Sequence, residues 1–253
     1  MVGRVEKYLL EKIDKEVTIH MTLVDPEKVT QSSASRIAKD AEACGTAAIM
    51  VGGSTSVSSS HLDKVTKALK ESVKIPIILF PNNITGITRN ADAIWFMSLL
   101  NSSDPYFLMG AQVLGAPIIK KFGLEPIPLG YIIVGEGGAA SVVGKAVPIP
   151  YNKPELTAAH ALAAEYFGMR FVYLEAGSGV GTPVPADMVR AVKTVTDLPI
   201  IVGGGIRTGE QVKEMVKVGA SIIVTGNVLE ENKGKNKITE LLDNMKAPKS
   251  GTK

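Results

Sequence analysis

Two apolar runs that end in glycine constrain this chain more than any other feature. Leu198-Pro-Ile-Ile-Val-Gly-Gly-Gly-Ile-Arg207 and Ser221-Ile-Ile-Val-Thr-Gly-Asn227 each begin as a short β-branched stretch. Each stretch is too brief for a helix and apolar at successive positions, the pattern of a parallel strand buried on both faces. Thr208-Gly-Glu-Gln211 follows the first break as a Thr-x-x-Gln capping box, and Val212, Met215 and Val216 form the apolar stripe of the helix it opens. Strand, glycine turn, helix, strand, glycine turn surrounds an anion with bare backbone amides and a helix N-terminus. In a (β/α)8 barrel the loops after the last two strands form such a phosphate site, so these runs are read as strands seven and eight.

Counting backwards supplies the other six: Val17–Val24, Ala47–Val51, Ile75–Phe80, Ala91–Leu99, Ile127–Val134 and Phe171–Leu174. Helical patterns lie between them, at roughly 28–43, with Leu62, Val65, Leu69 and Val73 in register, with Tyr106, Met109, Val113 and Ile118, with Leu156, His160, Ala163 and Phe167 on one face, and at 185–196. Only about ten residues, Pro81, Gly86 and polar side chains among them, lie between strands three and four, too few for a normal crossover helix. The expected fold is therefore an α/β TIM barrel, modified by a missing or replaced third helix. An extra helix over residues 1–15 carries Val5, Tyr8, Leu9 and Ile13 on one face, Ile238, Leu241, Leu242 and Met245 mark the last helix, and 247–253 read as a frayed tail. At 253 residues, 45% apolar and with no composition break, the chain reads as a single domain.

A net charge of +3 with scattered Lys and Arg indicates no nucleic-acid partner. No run has the length or apolarity of a membrane span or signal peptide, and the lone Cys44, read as core, suits a reducing compartment. A cytoplasmic protein without stable membrane insertion is the expectation.

Asp25, Ser54, Asn82, Asn101, Glu136, Glu175, Gly204 and Gly226 all fall at C-terminal strand ends. The glycine turns at 203–205 and 226–227, with Gly204-Gly205 and Gly226-Asn227, point to a phosphate monoester, the alternative being that these glycines only allow tight turns. Val51-Gly-Gly-Ser54 echoes the cradle at 202–205, with Asp25 beside it. One carboxylate and one hydroxyl suffice for Mg²⁺ when a diphosphate supplies the remaining oxygens; Asp25 before Pro26 is also an ordinary turn residue. Two anion sites at one mouth favour transfer between two phosphorylated substrates. Glu175, between those sites, suits a general base or a structural acceptor, and Tyr173 points to the same side of its strand. The loop from Gly135 to Pro150 is long, small-residue-rich and apolar, which suits a functional role. His20, His61 and His160 lack metal-ligand spacing and read as core or surface.

Leu23-Val-Asp-Pro-Glu-Lys28, Val51-Gly-Gly-Ser54, Tyr173-Leu-Glu-Ala-Gly-Ser-Gly179, Gly203-Gly-Gly-Ile-Arg207 and Gly226-Asn227, in this order, resemble the geranylgeranylglyceryl phosphate synthase family over almost the whole chain. The resemblance implies a TIM barrel lacking its third helix and a prenyltransferase of archaeal-type phospholipid biosynthesis. Such an enzyme joins sn-glycerol 1-phosphate to geranylgeranyl diphosphate through an ether bond and releases diphosphate. It further implies Mg²⁺ at Asp25 and Ser54. Glycerol 1-phosphate would lie against Tyr173, Leu174, Glu175, Ala176, Gly177, Ser178, Gly179, Gly204, Gly205, Gly226 and Asn227, with Glu175 as base and Tyr173 beside it. A homo-oligomer, dimer or hexamer, is implied as well. The bacterial branch resembles heptaprenylglyceryl phosphate synthases with a longer donor, and a sugar-phosphate isomerase or lyase would use the same phosphate site. The missing helix and the loop at 135–149 are expected to leave an apolar groove for the prenyl tail, near Gly137 and Ala139.

Overall fold

A computed structural model describes residues 2–53, 58–226 and 234–245. Eight parallel strands close a barrel in sequence order: β1 (Ile19–Val24), β2 (Ala48–Val51), β3 (Ile77–Leu79), β4 (Ala93–Leu99), β5 (Glu125–Ile133), β6 (Phe171–Glu175), β7 (Ile200–Gly203) and β8 (Ile222–Thr225). Closure places Ile19 of β1 opposite Ile222 of β8. The described helices are α1 (Arg4–Glu16), α2 (Gln31–Cys44), α3 (Ser59–Ser72), α4 (Ala111–Phe122), α5 (Gly138–Val143), α6 (Pro154–Tyr166), α7 (Ala186–Lys193), α8 (Gly209–Lys217) and α9 (Gly234–Asp243).

Alternation along each strand divides the apolar side chains between two environments. Met21, Met50, Ile78, Trp95, Leu129, Phe171 and Ile201 fill the barrel interior. Their neighbours face the helices: Ile49, Ile77 and Ile94 pack with the buried residues of α2 and α3, and Val172, Val202 and Ile223 with those of α7 and α8. The strands therefore read as unbroken apolar runs.

Helix α1 closes the end of the barrel where the strands begin. Val5 and Leu9 join the interior cluster beside Ile19, Trp95 and Phe171. Glu125, which opens β5, accepts the amides of Val5 and Glu6, each at 2.8 Å, and so compensates the positive end of α1. Buried Glu6 pairs with Arg170, just before β6. Burying Leu9 contributes about 2 kcal/mol.

Between β3 and β4 the described chain makes only a 3-10 turn, Ile84–Gly86, so the third helix is missing as expected. Val17 departs from expectation: it is β-branched but ends α1 at a φ of 67° and is exposed. The helix after β4 opens with a π-helical turn, Tyr106–Gly110, and buries Gly115 and Ile119, leaving Met109 and Val113 outside. Helix α6 likewise buries Thr157, Ala158, Ala161 and Ala164, not the Leu156/Phe167 face. Small residues allow close approach: a Cβ on Gly130 of β5 would lie 2.8 Å from that of Ala164. Cys44 is half-buried at the end of α2, 3.5 Å from Thr239 of α9. The segment read as one long loop after β5 folds into α5, entered through left-handed Gly135, Gly137 and Gly138. Thr208 and Gln211 do form the capping box of α8. The tail after Ala247 lies outside the described residues.

Candidate active site

One cavity of about 820 Å³ opens where the strands end. Asp25, Tyr173, Glu175, Ser178, Gly179, Gly204, Gly205 and Gly226 all line it. Strands of a single barrel bring these residues together from widely separated sequence positions. Leu174 and Ala176 do not face it; their side chains are buried beneath the outer helices. Ser54 and Asn227 lie outside the described residues. Asn101 is a structural residue, donating to Ile133 O and Val147 O at 2.8 and 2.9 Å, and Glu136 is exposed outside the lining.

At one side of the mouth stands Asp25, the cap of a 3-10 turn, Pro26–Lys28. A Cβ on Gly53 would lie 2.5 Å from Asp25 Oδ1, so the carboxylate and the bare backbone after β2 share a space that a side chain would fill. Lys28 Nζ lies 3.7 Å from Asp25 Oδ2. Among the described residues no three His, Cys, Asp or Glu side chains gather as a metal cage. A single carboxylate in an oxygen-accessible cradle instead suits a divalent ion that takes its remaining ligands from phosphate and water.

Across the mouth, Glu175 ends β6 with only 6% of its surface exposed. Burial raises its pKa; the Gly177 amide, donating to Oε1 at 2.7 Å, and the Tyr173 phenol oppose that rise without cancelling it. Burial, and then the Glu175 charge, push Tyr173 and Tyr131 well above the usual phenol value, so both keep their protons. The glycine turns after β6 and β7 close around Glu175, with Gly177 at a φ of +112°. Arg207 Nη2 ties those turns together by donating to Gly179 O and Val180 O, both at 3.3 Å.

Between the two poles lies an aromatic floor that sequence reasoning missed. Phe80 stacks on Tyr173 at 5.4 Å, and Tyr131 meets both rings edge-on at 5.4 and 5.3 Å. Tyr131 stands opposite Tyr173 in the β5–β6 register, a neighbour relation that becomes legible once the strand ends are aligned. From this floor the cavity runs into an apolar arm lined by Ile87, Phe107, Gly115, Ile119, Ala139 and Val143. The arm occupies the gap left by the missing helix, with α4 and α5 as its walls. Ala139 belongs to it; Gly137 does not, since a Cβ there would meet Ile133 Cγ2 at 2.5 Å.

The sequence profile of the PcrB family matches residues 11–245. The chain belongs to that family. It is 59% identical over 232 residues to geranylgeranylglyceryl phosphate synthase of Thermofilum pendens, covering 92% of this chain and 91% of the relative. It is 53% identical to the synthase of Pyrococcus abyssi over 249 residues, covering 97% and 99% of the two chains. The solved structure of (S)-3-O-geranylgeranylglyceryl phosphate synthase from Thermoplasma acidophilum, in complex with its substrate sn-glycerol-1-phosphate, superposes with a TM-score of 0.93 at 40% identity, covering 97% of this chain and 99% of that one. In this member of the family no described helix is long and apolar enough to cross a membrane.

Proposed function

We propose that this chain transfers a geranylgeranyl group from its diphosphate to the free primary hydroxyl of sn-glycerol 1-phosphate, forming an ether and releasing diphosphate. The observation that carries this reading is one cavity joining two anion-suited poles to an apolar arm, in a chain so similar along its length to synthases of that name.

Glycerol phosphate is assigned to the β6–β8 turns, where the bare backbone at Gly179, Gly204, Gly205 and Gly226 lines the cavity and offers amides without side chains in the way, while the Gly177 amide stays on Glu175. The resemblance adds Asn227. The diphosphate is assigned to the Asp25–Gly53 pole, with the prenyl chain in the arm. Asp25, and Ser54 by resemblance, would hold Mg²⁺, which supplies positive charge to the departing diphosphate.

Allylic carbon–oxygen bonds ionise readily, so the reacting carbon gains positive charge as the bond to diphosphate breaks. The faces of Phe80, Tyr131 and Tyr173 favour that charge. The glycerol hydroxyl attacks the carbon, and Glu175 Oε takes its proton. The raised pKa of Glu175 strengthens it as a base, while the Tyr173 phenol and the Gly177 amide orient it. Association between copies of this chain has support in the exposed Leu156 and Tyr166 of α6 and Phe167 just after it. The metal assignment is tested by chelation: transfer stops with EDTA and returns with added Mg²⁺.

A further inference from the structure

We propose that Lys28 grips the diphosphate of the prenyl donor and stabilises it as it leaves. The inference rests on the prenyl-transfer reading and adds to it a residue that touches the leaving group.

A prenyl diphosphate carries more negative charge than one divalent ion neutralises, and Asp25 adds a further negative charge to the same pole. Catalysis by charge stabilisation therefore calls for a cation fixed on the protein beside Asp25. Lys28 is placed there by its turn. Its amide donates to Asp25 O at 3.1 Å, while Asp25 Oδ1 accepts the Glu27 amide at 3.1 Å, so the chain folds back and brings the ammonium over the carboxylate.

The turn is pinned from outside as well. His61 Nε2, on α3, lies 2.9 Å from Pro26 O and 3.2 Å from Val29 O. Both partners are acceptors, so this nitrogen carries the proton and donates to them. Lys28 thus extends from a backbone held at both ends, and it lines the same cavity as Asp25 and Gly53.

Its ion pair leaves the ammonium available. A spacing of 3.7 Å is well beyond the 2.7–2.9 Å of a committed charge-assisted bond, and an ammonium has three donors. Were Asp25 to hold a divalent ion, its carboxylate would be shared with that ion, and the Lys28 ammonium, 3.7 Å away, would be left to donate to the phosphate oxygens of the donor.

The test uses full-length wild type, Lys28→Met and Lys28→Arg. Steady-state kinetics with geranylgeranyl diphosphate and sn-glycerol 1-phosphate are combined with calorimetric titration of inorganic diphosphate in the presence of Mg²⁺. Lys28→Met is expected to lower kcat/KM for the donor roughly 10²-fold and to weaken diphosphate binding about tenfold, leaving KM for glycerol 1-phosphate within about twofold. Lys28→Arg recovers much of both losses. Unchanged donor constants and unchanged diphosphate affinity in Lys28→Met overturn the proposal, as does an equal loss toward both substrates. The titration reads Lys28 even if wild type forms no ether, so failure of this inference is distinct from failure of the transfer reading.

Discussion

The backbone of Gly204 passes so close to Glu175 that a Cβ there would lie 2.6 Å from Glu175 Oε1. Its φ of +83° is also one that other L residues avoid. Gly204→Ala therefore costs about 1–2 kcal/mol in backbone strain alone. By displacing the carboxylate it lowers kcat/KM roughly 10²-fold. Chemical denaturation and steady-state kinetics on the same preparation measure the two losses.

The buried position of Glu175 makes activity and stability pull in opposite directions. Its pKa is raised in the folded chain, so the acidic limb of the rate profile lies above the usual carboxylate range, with activity rising as the base loses its proton. Folding takes up a proton between the unfolded and folded pKa values, so stability falls as pH rises through that window. Glu175→Gln should lose about 10²–10⁴-fold in kcat yet unfold at higher denaturant than wild type at neutral pH. The stability gain should vanish below the unfolded pKa.

His20 has the opposite sign. It is fully buried with its ring nitrogens 2.8 Å from Thr46 Oγ1 and Thr225 Oγ1, and burial lowers its pKa from 6.5 to about 4. The unfolded chain binds the proton first as pH falls, so stability declines between pH 6.5 and 4, by about 3 kcal/mol at 1.36 kcal/mol per unit. In His20→Gln that part of the acid slope should disappear from denaturation midpoints measured across the range.

The strands were legible because a barrel strand is buried on both faces, and runs such as Ile200–Val202 and Ile222–Val224 look the same wherever they occur. Their ends were legible too, since Asp25 precedes a proline and Gly203 follows Val202, the last apolar residue of β7. The inward faces of α4 and α6 were not. Periodicity finds the largest apolar side chains, and here close packing places Gly115, Ala158, Ala161 and Ala164 inside while Met109, Val113 and Phe167 remain out. Phe80 and Tyr131 were hidden for a related reason: within or beside an apolar run, an aromatic ring facing the cavity reads like one facing the core. Helix α5 escaped because glycines precede its short Gly-Ala-Ala-Ser-Val-Val sequence.

The apolar arm gives a length-selective prediction. Ala139 lines it, and a Phe at that position would narrow the space left for a long tail. Ala139→Phe should cost about 1–3 kcal/mol in binding the long tail, or roughly tenfold in kcat/KM for geranylgeranyl diphosphate, with dimethylallyl diphosphate little affected. A parallel assay of both donors reads the ratio.

Helix α1 supports the barrel from the end opposite the chemistry. Truncating Leu9, fully buried against the barrel interior, removes about 2–5 kcal/mol of stability. KM for both substrates should remain unchanged below the melting transition, as thermal unfolding and kinetics on Leu9→Ala will record.

The most direct measurement incubates purified protein with radiolabelled sn-glycerol 1-phosphate, Mg²⁺ and geranylgeranyl diphosphate, then follows label into the organic phase, with EDTA and Glu175→Gln as controls. The account predicts label in the organic phase for wild type with metal and almost none in either control. Label that stays in water with every prenyl donor, or that moves equally well without Glu175, would contradict it.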